Sequence, residues 1–298
     1  MNRNIRTDLA VESEALCRAG RAGTLPGVRA STRTQHDFTV TTVEVLDSRG
    51  EAALGKPRGT YLTVELDALI RREENAFSDA CDAVSSALRS LLKLEESSSF
   101  LVVGLGNRDI TPDAVGPCAL DYVMVTRHLK ERLPADFAAF RPVSAVCSGV
   151  LGTTGIESGE IVRALTEKLC PSAVIAVDAL ASRSPDRLCR TVQIADTGII
   201  PGSGVGNARQ ALGRETLGVP VIAVGVPTVV EAATLALDLA ERSGAALDPA
   251  LFGKTGEMIV TPREIDRNVR DAAKLIGYSL NLALHDGLGI ADVDLFLS

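Results

Sequence analysis

Phe100-Leu-Val-Val-Gly-Leu-Gly-Asn-Arg-Asp-Ile-Thr-Pro-Asp113 begins as an unbroken apolar run and ends in a polar turn that carries an aspartate. An apolar run without alternation suits a strand covered on both faces. Four further runs share that texture: Pro142 to Cys147, Ala173 to Val177, Thr191 to Ala195 and Val219 to Val224. Helix-period stretches separate them. This alternation predicts an α/β fold, a mainly parallel sheet flanked by helices, over residues 73–298. Upstream, residues 1–72 form a β-rich N-terminal segment. Phe38 to Leu46 and Thr60 to Leu66 read there as two antiparallel strands with a loop between them. Phe77, Cys81, Val84, Leu88 and Leu91 share one helical stripe. Thr261 and Glu264 make a capping-box pair around Pro262, so the last long helix is expected from there to about His285. With no internal repeat, residues 1–298 are expected to form a single α/β domain.

Composition narrows the function. A chain of 298 residues that is 46% hydrophobic is neither disordered nor a small disulfide scaffold. Aromatics at 3% and a net charge of −7 argue against a base-stacking platform or a basic face, so no direct nucleic-acid partner is expected. The six cysteines are scattered with no CxxC spacing and read as reduced, buried thiols. Met1 to Ala10 lacks the apolar core of a signal peptide. The longest apolar stretch, Val219 to Val230, is broken by Pro220, Gly225 and Pro227 and falls short of the ~18 residues of a membrane span. A cytoplasmic location with no membrane partner is expected.

Ligands of open α/β sheets bind where strands end. Three such places deliver an aspartate: Asp113, Asp178 and Asp196. A lone Asp after a strand is ordinarily a cap or turn residue. Several at one sheet edge repel one another unless protonated, metal-bound or paired. Other signals are weaker. Gly104-Leu-Gly106 begins a dinucleotide fingerprint, but its third glycine position is Asp109. Pro201-Gly-Ser-Gly-Val-Gly-Asn207 is an anion nest or a tightly turned loop, without the ending of a P-loop. Asp196-Thr-Gly198 copies the tripeptide of pepsin-like proteases without their all-β context. His36, His128 and His285 have no paired spacing for zinc. No Ser or Cys nucleophile is signalled, and neither a cofactor nor a resident metal is expected.

At these motifs the chain resembles the germination protease family of spore-forming bacteria. The matching stretches include Ile5-Arg-Thr-Asp-Leu-Ala-Val-Glu12, Gly59-Thr-Tyr-Leu-Thr-Val-Glu65, Val103-Gly-Leu-Gly-Asn107 with Thr111-Pro-Asp-Ala-Val-Gly-Pro117, and Val125-Thr-Arg-His-Leu129. They continue through Val174-Ile-Ala-Val-Asp-Ala-Leu180, Gln193-Ile-Ala-Asp-Thr-Gly198, the Gly-rich loop and Leu217 to Val230, and end with Val260-Thr-Pro-Arg-Glu-Ile-Asp266. The resemblance implies an endopeptidase that degrades small acid-soluble spore proteins at germination and cuts after an acidic residue. It implies a fold similar to hydrogenase-maturation proteases, a homotetramer in the forespore or spore core, and a zymogen processed at its N-terminus. It carries two essential aspartates over to Asp113 and Asp178. Three departures stand out. Only four residues precede Ile5, so the chain is expected to be active on synthesis or restrained by something other than a long propeptide. The stretch between Asp238 and Met258 is short for the family, and Arg108 replaces a Trp of its Bacillus members.

Two carboxylates suffice for peptide hydrolysis if one is ionised and the other protonated. Asp113 and Asp178 are the expected pair. A fixed cation is expected to hold the acidic substrate side chain, with Arg183 first on position and Arg127 and His128 behind it. The alternative is a metal-dependent or metal-sensing protease of the hydrogenase-maturation type, in which His128 would join the carboxylates.

Overall fold

The computed structural model describes residues 6–19, 25–206, 209–245, 247–248 and 251–298. Ile5 and Asn207, ends of two of the matching stretches, lie outside the described residues. Among the described residues nine strands run in chain order: β1 (Val28–Gln35), β2 (Phe38–Val45), β3 (Gly59–Glu65), β4 (Phe100–Leu105), β5 (Val143–Gly149), β6 (Ala173–Ala181), β7 (Thr191–Ala195), β8 (Val221–Glu231) and β9 (Ile259–Val260). They form one sheet ordered β1-β2-β3-β7-β8-β6-β4-β5, with β9 added to β8.

The sheet is mixed. Its parallel half is β5-β4-β6-β8. From β8 through β7, β3 and β2 to β1 every pairing is antiparallel. Thr191 to Ala195, grouped with the parallel runs in the sequence, belongs to the antiparallel half. The reason is its connection. Only residues 182–190 link β6 to β7, fewer than the ~12 that a parallel crossover needs. The β-rich N-terminal segment continues the same sheet through β3 and β7, whose register pairs Tyr61 with Ala195.

Alternation along the strands sends side chains to two layers. Val102, Ile175, Val177, Ile222 and Val224 face the helices Ala76–Leu91 and Ile265–Leu284. Leu101, Val103, Val174 and Ala176 face Val162 of the helix Ser158–Leu169, with Leu212 and Leu217. A smaller cluster of Ala10, Val43, Leu54 and Tyr61 packs the helix Ala10–Ala19 onto the N-terminal strands.

Several boundaries differ from expectation. The segment after β2 is a helix, Ser48–Leu54, because the Asp47 carboxylate accepts from the N–H groups of Arg49 (2.9 Å) and Gly50 (3.2 Å) and caps it. The last long helix begins at Ile265 rather than Pro262. Thr261 does not cap it; its hydroxyl donates instead to Thr228 O on β8 at 2.8 Å. All six cysteines are free thiols, but only Cys81 is buried; Cys17, Cys118 and Cys189 are half-buried, and Cys147 and Cys170 are exposed. Among the described residues, no helix is long and apolar enough to cross a membrane.

Candidate active site

β4 and β6 pair in register only as far as Gly104 and Val177. There β4 peels away through Gly106, at φ 102°, where a Cβ would stand 2.1 Å from Asp113 O. Glycine is required for that turn. The chain then forms the short 3-10 turn Thr111–Asp113. Thr228 Oγ1 donates to Pro112 O at 2.6 Å and holds the turn against β8. The Asn107 N–H donates to Asp113 Oδ2 at 2.8 Å. The helix Val115–Ala119 follows and lies on bare backbone. A Cβ on Gly116 would come within 2.3 Å of Leu105 O and 2.4 Å of Val177 O. Gly116 therefore presses the Asp113 turn onto the seam between β4 and β6.

Asp178 sits on that seam. It lies inside β6, opposite Gly225 of β8, rather than beyond the end of a strand as the sequence suggested. It is buried, and its Oδ1 accepts from the Ala179 N–H at 2.9 Å. Burial pushes its pKa well above the ordinary carboxylate range, the charge of Asp113 pushes further in the same direction, the Ala179 N–H opposes, and Asp8 adds a smaller upward push. Asp113 is only partly buried. Burial raises its pKa, and the Asn107 N–H pulls back. Two carboxyl groups thus interact in unlike surroundings, and burial together with the charge of Asp113 favours the protonated form of Asp178.

The third aspartate has another task. Asp196 Oδ1 accepts from the Thr60 N–H at 2.7 Å and ties β7 to β3. The cations expected to bind substrate are not gathered at the aspartates. Arg183 is committed to helix Ala232–Arg242: its Nε meets Asp238 Oδ1 at 2.8 Å, and its other end pairs with Glu241. Arg127 and His128 are exposed on the short helix Arg127–Arg132. Arg127 pairs with Glu131 at 3.0 Å and lines a cavity of about 360 Å³ beside Phe100 and Pro142. That cavity is at the start of β4 and β5, the end of the sheet opposite Asp113. The metal alternative loses its histidine by the same placement. Among the described residues, the metal-capable donors that come together are His36, Asp79 and Asp82, a group that contains neither Asp113 nor Asp178.

A larger cavity, about 700 Å³, opens on the face of the sheet that Leu180 and Gly225 floor. Lys56, Arg58, Asp196 and Arg214 are in its walls. The Gly-rich loop forms another wall and is filled by the chain itself. A Cβ on Gly204 would stand 2.1 Å from Asp8 Oδ2, and one on Gly206 would stand 2.3 Å from Arg6 Nη1. The loop is therefore the tightly turned alternative, closed over Arg6 and Asp8. Asp8, Glu12 and Lys56 are the residues that sequence reasoning passed over. Asp8 and Glu12 were quoted within a matching stretch, but nothing in their spacing assigned them a partner.

A profile of the family described as germination protease matches residues 6–241. The chain is 39% identical to the germination protease of Clostridium perfringens, covering 99% of both chains. It is 42% identical to that of Caldanaerobacter subterraneus subsp. tengcongensis over 95% of each, and 35% identical to that of a Geobacillus species over 95% of this chain and 94% of the relative. Among solved structures, a NiFe hydrogenase maturation protease from Thermococcus kodakarensis KOD1 aligns with a TM-score of 0.36 and 18% identity, covering 65% of this chain and 98% of that one. Identity of this order, sustained over nearly the whole length of relatives that share one description, makes the chain a protease of the germination protease family.

Proposed function

We propose that this protein is an endopeptidase that begins the degradation of small acid-soluble spore proteins at germination, and that Asp113 and Asp178 perform the hydrolysis. The observation that carries the reading is the unlike pair at the β4–β6 seam. Asp178 is buried and feels the charge of Asp113, whereas Asp113 is more open and held by the Asn107 N–H.

In the proposed reaction a water between the two carboxyls attacks the scissile carbonyl carbon. Asp113, as carboxylate, accepts the proton that the water loses. Asp178 donates its proton to the carbonyl oxygen as the C–O bond forms. Collapse of the tetrahedral adduct breaks the C–N bond. The proton on Asp113 passes to the leaving nitrogen, and Asp178 recovers its own from the adduct's hydroxyl. Each group serves once as acid and once as base. Cleavage after an acidic residue, assembly as a homotetramer and location in the spore core are part of the proposal through the family resemblance. The walls of the 700 Å³ cavity offer Arg214 as a cation for an acidic side chain in place of Arg183, whereas Arg58 there is paired with Glu51 at 3.1 Å.

The test is cleavage of an acid-soluble spore protein by wild type, Asp113→Asn, Asp178→Asn and the double variant, each with and without a strong chelator. The expected result is that each single change is nearly as damaging as the double, since the two groups act on one water. Near-normal cleavage by either single variant refutes the pair, and loss to chelator with rescue by one metal replaces it with a metal mechanism.

A further inference from the structure

Away from the aspartate pair, an imidazole and two carboxylates meet where the β1–β2 hairpin touches a helix. Gln35 pairs with Phe38, so His36 and Asp37 alone make the turn. The helix Ala76–Leu91 carries Asp79 in its first turn and Asp82 three residues on, which places both on one face. One ligand atom from each of His36, Asp79 and Asp82 lies within 4.8 Å of the other two. His36 and Asp82 are exposed, and Asp79 is half-buried.

The packing beneath holds the three in place. Phe38, two residues past His36, is buried in the same apolar cluster as Ala80 and Cys81, which stand between the two aspartates. Gln35 Nε2 donates to Asp82 O at 3.4 Å and ties the hairpin tip to the helix. The three side chains themselves are left unanswered. Among the described residues, none of them takes part in a hydrogen bond or an ion pair. Two carboxylates this close repel one another, and a dication between them turns the repulsion into attraction.

We propose that His36, Asp79 and Asp82 form a binding site for a divalent transition-metal ion of the Zn²⁺ class, which clips the hairpin tip to the helix. The donor set decides the class. One imidazole nitrogen with two carboxylate oxygens suits Zn²⁺, Co²⁺ or Ni²⁺, whereas Ca²⁺ and Mg²⁺ take oxygen shells. Ligand atoms about 2.1 Å from a tetrahedral ion stand about 3.4 Å apart, so the three side chains need to close by no more than about 1.4 Å. The remaining coordination positions face solvent and take water. β2 is separated from β6 by β3, β7 and β8, so the ion is structural and has no part in hydrolysis at Asp178. Only the folded chain brings the donors together, and binding therefore stabilises it. No sequence spacing announces the set, since more than forty residues separate His36 from Asp79.

The experiment titrates the untagged full chain with ZnCl2 in a calorimeter. Beside wild type stand His36→Ala, Asp79→Asn, Asp82→Asn and a Cys147→Ser, Cys170→Ser double variant that lacks the exposed thiols. The expected result is one Zn²⁺ per chain in wild type and in the thiol variant. Each of the three ligand variants should bind more weakly by at least the roughly 10- to 100-fold that loss of an outer-shell partner alone costs. Zn²⁺ should also raise the unfolding temperature of wild type and leave that of His36→Ala where it is, and Ca²⁺ or Mg²⁺ at the same concentration should raise neither. If Asp79→Asn does not fold, the exposed pair His36→Ala and Asp82→Asn decides. Wild type that binds no Zn²⁺, or His36→Ala that binds it with wild-type affinity, overturns the site. Binding lost with the two thiols alone moves the metal to cysteine and overturns it as well, as does Ca²⁺ bound as tightly as Zn²⁺.

Discussion

Gly116→Ala tests whether the meeting of Asp113 and Asp178 depends on a helix lying on bare backbone. The new methyl group would stand 2.3 Å from Leu105 O, 2.4 Å from Val177 O and 2.6 Å from Leu105 N, about 1 Å inside ordinary contact. All three atoms are main chain, so no side chain can swing aside. Leu105 lies in β4 and Val177 in β6. The methyl is caught between both strands and must lift the helix Val115–Ala119 from the seam. Asp113 lies two residues before that helix, joined to it through Ala114, and moves with it, while Asp178 stays in β6. Overpacking of this kind costs about 1–3 kcal/mol of stability. A displacement of about 1 Å between reacting groups costs on the order of 100-fold in rate. The assay is kcat/KM on a peptide with a Glu–Ile bond, beside urea unfolding of the same preparation. Gly152→Ala is the stability control, since a Cβ there has no neighbour within 4 Å. A folded Gly116→Ala protein with the wild-type kcat/KM would show that this packing does not set the geometry of the pair.

Three further outcomes are expected. Arg183→Met should lower stability by about 3 kcal/mol by stripping buried Asp238 of one cation, while the preference for Glu over Gln before the scissile bond stays as in wild type; a lost preference would restore Arg183 to substrate binding. His285 is buried beside Arg141 with its pKa held down to about 4, so the unfolded chain takes up the proton first as pH falls below about 6.5. Stability should then drop by about 2 kcal/mol between pH 6.5 and pH 5, a loss that urea midpoints should find much reduced in His285→Gln. Asp196→Asn keeps an acceptor for the Thr60 N–H and should retain substantial cleavage with a small loss of stability, whereas a folded but inactive variant would give Asp196 a chemical role.

The fold was legible where burial on both faces leaves an unbroken apolar run, as in Phe100–Leu105, and not where a strand is held by hydrogen bonds alone. β1 shows the second case. Its sequence, Val-Arg-Ala-Ser-Thr-Arg-Thr-Gln, is mostly exposed, and it pairs with β2 along its whole length. An edge strand needs no apolar pattern, and charged residues such as Arg29 and Arg33 keep it from pairing further. Strand direction was equally hidden. Hydrophobicity does not distinguish β7 from its parallel neighbours; the short 182–190 link does.

The site divides along a similar line. Asp113 and Asp178 were visible because each follows an apolar run, and the family resemblance separated them from Asp196, which has the same setting. Asp8 has no such setting. It lies in a polar stretch beside Thr7 and Arg6, and its partner Ala181 is a main-chain group that no side-chain pattern announces. Arg183 is committed to other carboxylates for the converse reason. Its position five residues beyond Asp178 was read correctly, but Asp238 and Glu241, which neutralise it, come from a helix more than fifty residues later. The ends of apolar runs thus marked the candidate carboxyls, whereas what satisfies a charge or a strand edge is set by the topology of the sheet. The peeling of β4 at Gly104 is what turns an N-terminal aspartate into a neighbour of Asp178, and Gly106 and Gly116 are the residues whose lack of a side chain permits that opening.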